Sequence, residues 1–381
     1  MTGKVDLLLK GGRVMDPSVG LDAHKDVAFT DGKISAILDS NSPVEAKEVQ
    51  DVSGCIVCPG LIDLHTHVYW GATGLGVNAE DIAGRSATTT FIDAGSAGAG
   101  NFGGLKHFIA DNTDLRILGF INISFAGICG FSKKKANLFP ECEDIRLLDT
   151  DECLEAIEKY RDSIVGIKVR IGRYASGSAG MTPLQIAREV GEETGLPLMT
   201  HLDFPPPDRD EVLNYLRPGD VLTHCFRPFP NAPLYGNGSI REAVTQARER
   251  GIIFDLGHGG GSLSFQVSRK MLEQDFLPDT ISSDVHLMSV DGPAFDILVT
   301  MSKFLCLGMP LMDVIRASTT RPAEAIQRPD LGNLQVGSPG DAAVLRIEEG
   351  RFEYYDVKKE LLLGDKRMIA EKMVVKGKIW G

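Results

Sequence analysis

The chain lacks several features that would have settled its class at once. No apolar run reaches the roughly 20 residues needed to span a membrane. Basic residues are the minority, since 40 Lys and Arg against 52 Asp and Glu leave a formal charge of -12. That balance argues against nonspecific binding to nucleic acid or to an anionic membrane. It leaves room for a small anionic substrate held by a local field. The N-terminal "VDLLLKGGRV" has an apolar stretch too short for a signal peptide. Cysteines number seven, odd and scattered, which predicts reduced thiols in a cytoplasmic protein. Cys55 and Cys58 form a CxxC, but no helix pattern follows and no second pair completes a zinc site. Thiols packed at a domain junction are the simpler reading. Internal repeats and low-complexity tracts are also missing.

What is present is a large soluble core, 43% hydrophobic and 24% charged over 381 residues. Both ends read as short strands. "VDLLLKGGRVMD", "KDVAFTDGKISAILD" and "EVQDVSGCIVCPG" open the chain, with "TDGK" as a hairpin signal. "GDAAVLRI", "GRFEYYDV" and "RMIAEKMVVKGKIW" close it. The middle alternates. Eight β-type runs fall at 61–67, 88–95, 115–124, 164–171, 196–202, 220–226, 252–258 and 279–286. Helix patterns such as "DECLEAIEKYRD" and "TPLQIAREVGEETG" separate the later ones, with Pro183 at a helix start and Gly195 and Gly251 at stops.

Strands alternating with helices imply parallel pairing. Eight units over about 270 residues fit a (β/α)8 TIM-like barrel, which takes about 250. An open doubly wound sheet would call for a glycine fingerprint after its first strand, where "HVYWGATG" stands instead. The expected division is a β-sandwich built from 1–57 plus 328–381 and a barrel over 58–327. The connection 125–149 exceeds an ordinary βα loop. It is a candidate lid or an ordered surface excursion.

Only eight histidines occur, and six of them fall at the ends of proposed strands, where barrel active sites lie. His65 and His67 in "GLIDLHTH" share one strand face because side chains alternate. His201, His224 and His258 end later strands, and Asp284 and His286 end the last. Imidazoles with a carboxylate suit zinc and related divalent ions. Lys168 sits between Ile167 and Val169 in "GIKVRIG". Burial there depresses its pKa, and a neutral amine can add carbon dioxide to become a bridging carbamate. An ordinary buried ion pair accounts for it equally well.

"GLIDLHTH", "IKVR", "MTHL", "LTHC" and "SSDVH", in this order, resemble the metal motifs of the amidohydrolase superfamily. The resemblance implies that His65 and His67 bind one metal with Asp284, that His201 and His224 bind a second, and that carboxylated Lys168 bridges them. It implies two divalent ions, zinc by preference, sharing a hydroxide nucleophile, with Asp284 as ligand and proton shuttle. The position where dihydroorotases place an arginine after the HxH pair is Tyr69. "GIKVR", "FDLGHGGGS" and "SSDVH" are closer to a dihydroorotase-like group of deacetylases that act on acetylated α-hydroxy acids such as acetyl-(R)-mandelate.

Arg170 or Arg173 then becomes the candidate grip for a substrate carboxylate. His258 with Gly259–Gly261 is a candidate donor near the leaving group, and Tyr69 and His286 complete the substrate-binding set. A small-molecule substrate and a homo-oligomer are expected. The rival readings are a cyclic-amide hydrolase of the dihydroorotase or hydantoinase kind, an N-acyl amino acid amidohydrolase, a non-catalytic scaffold and a one-metal deaminase. The deaminase would carry a glutamate near His201, where "HLDFPPP" has none.

Overall fold

The computed structural model describes residues 4–40, 42–132, 138–228 and 230–380. Five strands open the chain: β1 (Val5–Asp16), β2 (Leu21–Thr30), β3 (Lys33–Asp39), β4 (Ala46–Asp51) and β5 (Ile56–Pro59). Seven follow in the middle: β6 (Leu61–Thr66), β7 (Thr88–Gly98), β8 (Arg116–Asn122), β9 (Ile164–Ile171), β10 (Leu198–Leu202), β11 (Val221–Leu222) and β12 (Ile253–Phe254). The last are β13 (Ala342–Tyr355), β14 (Leu361–Val375) and β15 (Lys378–Ile379).

The terminal strands make one hydrogen-bonded sheet, ordered β15-β14-β13-β5-β1-β2-β3, with β4 also on β1. The two chain ends meet where β5 pairs antiparallel with β13. Two separate layers were the expectation. The single sheet arises because β1 changes partner along its length. Its first half pairs with β4 and its second with β5. The change comes at a register shift between Leu9 and Gly12, where Gly11 has φ +81. An inserted residue bends a strand in this way. The "TDGK" hairpin forms between β2 and β3, with Asp31 and Gly32 both at positive φ as a two-residue primed turn requires.

The middle strands form a curled parallel sheet, ordered β12-β11-β10-β9-β8-β7-β6. Segment 280–285 makes only isolated bridges, but it makes them to both edges, Asp255 with Thr280 and Thr66 with Val285. The ladders of β11 and of segment 280–285 are shorter than their apolar runs. His224 and Asp284 adopt φ of 64 and 46. Such turns stop a ladder and swing the side chain off the sheet. Helices Thr150–Lys159, Thr182–Thr194, Arg209–Tyr215, Glu242–Glu249 and Phe265–Leu272 alternate with these strands. Asp149, Asp208 and Ser264 cap three of them through the backbone N–H of Glu152, Glu211 and Val267. Apolar residues fill the helix side, and a second cluster including Ile62, Ile92, Phe120, Val165 and Met199 fills the sheet interior. The opposite end of that interior is polar. No helix among the described residues is long and apolar enough to cross a membrane.

Candidate active site

A cavity of about 420 Å³ opens over the C-terminal ends of the parallel strands. Its walls include His65, His67, Lys168, His201, His224, Asp284 and His286, drawn from β6, β9, β10 and the segments that follow β11 and β12. One ligand atom from each of His65, His67 and Asp284 lies within 4.8 Å of the others. His65 Nε2 and His67 Nε2 stand 3.5 and 3.3 Å from the same carboxylate oxygen of Asp284. Lys168 Nζ is 3.4 Å from His65 Nε2. Beside this group, His224 Nε2 and His201 Nδ1 approach to 2.8 Å.

Burial sets the charge states. It pushes the His65, His201 and His224 imidazoles far below their ordinary range, with nearby cations adding to the effect. His67 falls to about 3 for the same first reason. All four rings are therefore neutral with lone pairs available. Lys168 drops to about 7, mainly by burial and against the pull of Asp284. Asp284 rises to about 6, again by burial first. Neutral imidazoles and a carboxylate on one floor, beside an amine that is about half neutral at pH 7, form an N/O donor set of the kind that divalent ions of the zinc type take. The side chains present fit such an ion.

Two glycines make room for these groups. A Cβ on Gly95 would stand 2.5 Å from Cβ and Cγ of Lys168, and one on Gly259 would stand 2.1 Å from Asp284 Oδ2. Gly259 thus serves the close approach of Asp284, while Gly260 and Gly261 line the cavity.

Three of the residues expected to touch substrate are not among the described walls. Tyr69 packs into the core and donates its hydroxyl to the Asn101 carbonyl at 3.0 Å. His258 is buried with Nε2 2.7 Å from Lys303 Nζ, which also donates to the Pro293 and Tyr355 carbonyls. Arg173 is exposed outside the cavity, its backbone N–H on Phe204. In each case the strand has ended, so period-two alternation no longer dictates where a side chain points. Arg170 and His286 do line the cavity. Arg170 is held by both oxygens of buried Glu141, at 3.1 Å each, with Phe131 stacked on its guanidinium. Glu141 and Phe131 come from the long 125–149 connection, so Arg170 clasps that loop. Cys55 and Cys58 are free thiols on and beside β5, Cys58 fully buried.

Sequence reasoning missed Arg227 and Asp203, both buried and both cavity walls. Arg227 donates to the Leu202 carbonyl, and Asp203 accepts from the backbone N–H of Tyr174. The available signal for Arg227 was its place three residues after His224, still in the turn that closes β11. Tyr174, Phe204 and Phe131 add an aromatic wall, Tyr174 and Phe204 meeting edge to face at 5.5 Å.

No family model matches the chain. A deacetylase of Brucella anthropi is 36% identical over 337 residues, which cover 88% of this chain and 82% of that protein. A crystal structure of an adenine deaminase superposes with a TM-score of 0.91 at 29% identity, covering 99% of this chain and 100% of the other. A dihydroorotase structure superposes at 0.89 with 31% identity, covering 98% of this chain and 99% of the other. With such a relative along nearly nine-tenths of its length and the same architecture as both solved enzymes, this chain is a hydrolase that belongs to the amidohydrolase superfamily, in its dihydroorotase-like deacetylase group.

Proposed function

We propose that the protein is a binuclear metal-dependent deacetylase. Its substrate class is an acetyl ester or amide of a small carboxylate-bearing compound, with acetylated α-hydroxy acids as the model. The observation that carries this reading is the convergence of His65, His67 and Asp284 beside desolvated Lys168, in a chain whose relatives are named deacetylase. In this reading the curled sheet and segment 280–285 together make a complete (β/α)8 barrel over 58–327, and the composite terminal sheet of 1–57 and 328–381 packs beside it.

His65, His67 and Asp284 would hold one ion and His201 with His224 the other. Lys168, lowered to about 7 and so about half neutral at pH 7, is the amine that carbon dioxide would convert to a carbamate, a further ligand for such ions. When bound, such ions polarise the acyl carbonyl and bring the pKa of water to about 7. Zinc suits the donors. Asp284, raised to about 6, accepts the proton of the attacking water and returns it to the leaving oxygen or nitrogen. His286, pushed to about 4 by burial, is neutral. Its Nδ1 accepts the Met288 N–H at 3.1 Å, so its Nε2–H is the donor available to substrate. Arg227, a buried guanidinium in the cavity wall, supplies positive charge for the substrate carboxylate. Phe131, Tyr174 and Phe204 hold the organic group.

The test is metal analysis with a hydrolysis panel of acetylated hydroxy acids, N-acyl amino acids and dihydroorotate. Two ions per chain and preferential cleavage of the acetyl compounds are expected. Fewer than one ion after growth with zinc and bicarbonate, or activity on dihydroorotate alone, overturns the reading.

A further inference from the structure

We propose that Thr223 and Asp255 form a positioning relay that holds His65 in the one tautomer able to offer its inward nitrogen to a cation. The proposal rests on the metal-site reading above.

Asp255 is fully buried just past β12 and is not a cavity wall. Three hydroxyls aim at its carboxylate. Thr223 Oγ1 donates to Oδ2 at 2.7 Å, and Thr280 and Ser282 donate to Oδ1 at 2.7 Å each. A hydroxyl has one hydrogen. With Asp255 ionised and that hydrogen directed at its carboxylate, Thr223 Oγ1 has only lone pairs to present to His65 Nδ1, 2.9 Å away. His65 must be the donor in that contact. Its proton therefore sits on Nδ1, and Nε2 carries the lone pair. Nε2 is the atom that faces Asp284 and Lys168.

The backbone fixes the relay. Thr223 N–H bonds the Thr200 carbonyl at 3.1 Å, and Asp255 N–H bonds the Leu222 carbonyl at 3.0 Å. Neither side chain can rotate without breaking a buried contact. Related hydroxyl and carboxylate contacts lie beside it. His67 Nδ1 lies 2.9 Å from Ser96 Oγ, and Ser96 N–H bonds Asp93 Oδ1 at 2.7 Å. Asp63 accepts from both the hydroxyl and the N–H of Ser283, at 2.5 and 2.9 Å, next to the turned backbone of Asp284. The buried carboxylates Asp63, Asp93 and Asp255 thus stand behind the imidazoles and Asp284. In the Asp255 branch, an ionised carboxylate together with one hydrogen per hydroxyl sets the direction of every bond. Asp255 and Thr223 act through His65 and are positioning residues. A partner of this kind orients a ligating ring and raises its basicity, and its loss typically weakens metal binding 10–100-fold.

Two measurements on the full chain test this. The first is ¹⁵N-histidine NMR of the metal-free protein, with His65 assigned by its disappearance in His65→Gln. The Nδ1–H tautomer is expected, and an Nε2–H tautomer overturns the relay whatever the enzyme hydrolyses. The second is zinc affinity by chelator competition. Thr223→Val keeps the shape and loses the hydroxyl, and should bind zinc about 10–100-fold more weakly. Thr223→Ser keeps the hydroxyl and loses a methyl, and should stay within about threefold of the parent. A packing role alone would make the serine variant the poorer of the two, and that order overturns the proposal. A parent protein that binds zinc but cleaves no acetyl compound would sink the deacetylase reading and leave the relay standing.

Discussion

Gly95→Ala places one methyl group against Lys168 and should disable the site from behind. Gly95 lies in β7 with φ +80, and the added Cβ would stand 2.5 Å from Lys168 Cβ and Cγ. Ordinary carbon contacts are about 3.5–4.0 Å, so one partner must retreat by about 1 Å. The backbone is poorly placed to do so. The Gly95 carbonyl accepts from Asn122 Nδ2 at 3.1 Å and from the Ile128 N–H at 3.3 Å. Lys168 is therefore the group that moves, away from its 3.4 Å approach to His65. The left-handed backbone costs about 1–2 kcal/mol for an L-residue and overpacking about 1–3, so about 2–5 kcal/mol of stability should be lost. A displacement of about 1 Å can cost about 100-fold in rate. The assay pairs denaturant unfolding with metal content and kcat/KM on an acetylated α-hydroxy acid. Gly236→Ala is the control, because a Cβ there meets nothing within 4 Å. A Gly95→Ala protein with parental stability, metal content and kcat/KM would refute the reasoning.

Arg227→Met should raise KM for a carboxylate-bearing acetyl ester about 10–100-fold, as loss of a charged hydrogen bond of about 1.5–3 kcal/mol implies, and should leave the corresponding methyl ester nearly unchanged. Equal effects on both substrates would remove Arg227 from carboxylate recognition. Glu141→Gln leaves Arg170 charged and buried without its carboxylate, and should destabilise by about 3–5 kcal/mol in urea unfolding. A change under about 1 kcal/mol would mean that the loop clasp contributes little. Lys303 offers a pH test away from the metal site. Burial lowers it to about 7 from an ordinary 10.5, so between those values the unfolded chain binds more protons than the folded one. Stability from this group should rise as pH goes from 7 towards 10.5, by at most about 1.4 kcal/mol per pH unit. Comparing urea midpoints of the parent and Lys303→Met across that window isolates it, and parallel profiles would refute the shift.

The α/β alternation of the middle of the chain and the histidines at strand ends were legible in the residues alone. Period two and period 3.6 are local properties, and they located the strands at 61–67, 164–171 and 196–202 and the helices between them. The HxH spacing placed His65 and His67 on one face for the same local reason. Tyr69, Arg173 and His258 stand off the cavity wall, past strand ends where no period governs the side chain. Arg170 lay on a strand and does line the cavity, but its clasp by Glu141 joins residues 29 positions apart, which no local pattern announces. Arg227, Asp203 and the Thr223–Asp255 pair became visible only when turns with positive φ and a curled sheet brought distant segments to one floor. Protonation belongs to this second category too. A lysine, an aspartate and four imidazoles are ordinary titrating groups in sequence, and desolvation together with their mutual approach made them a donor set.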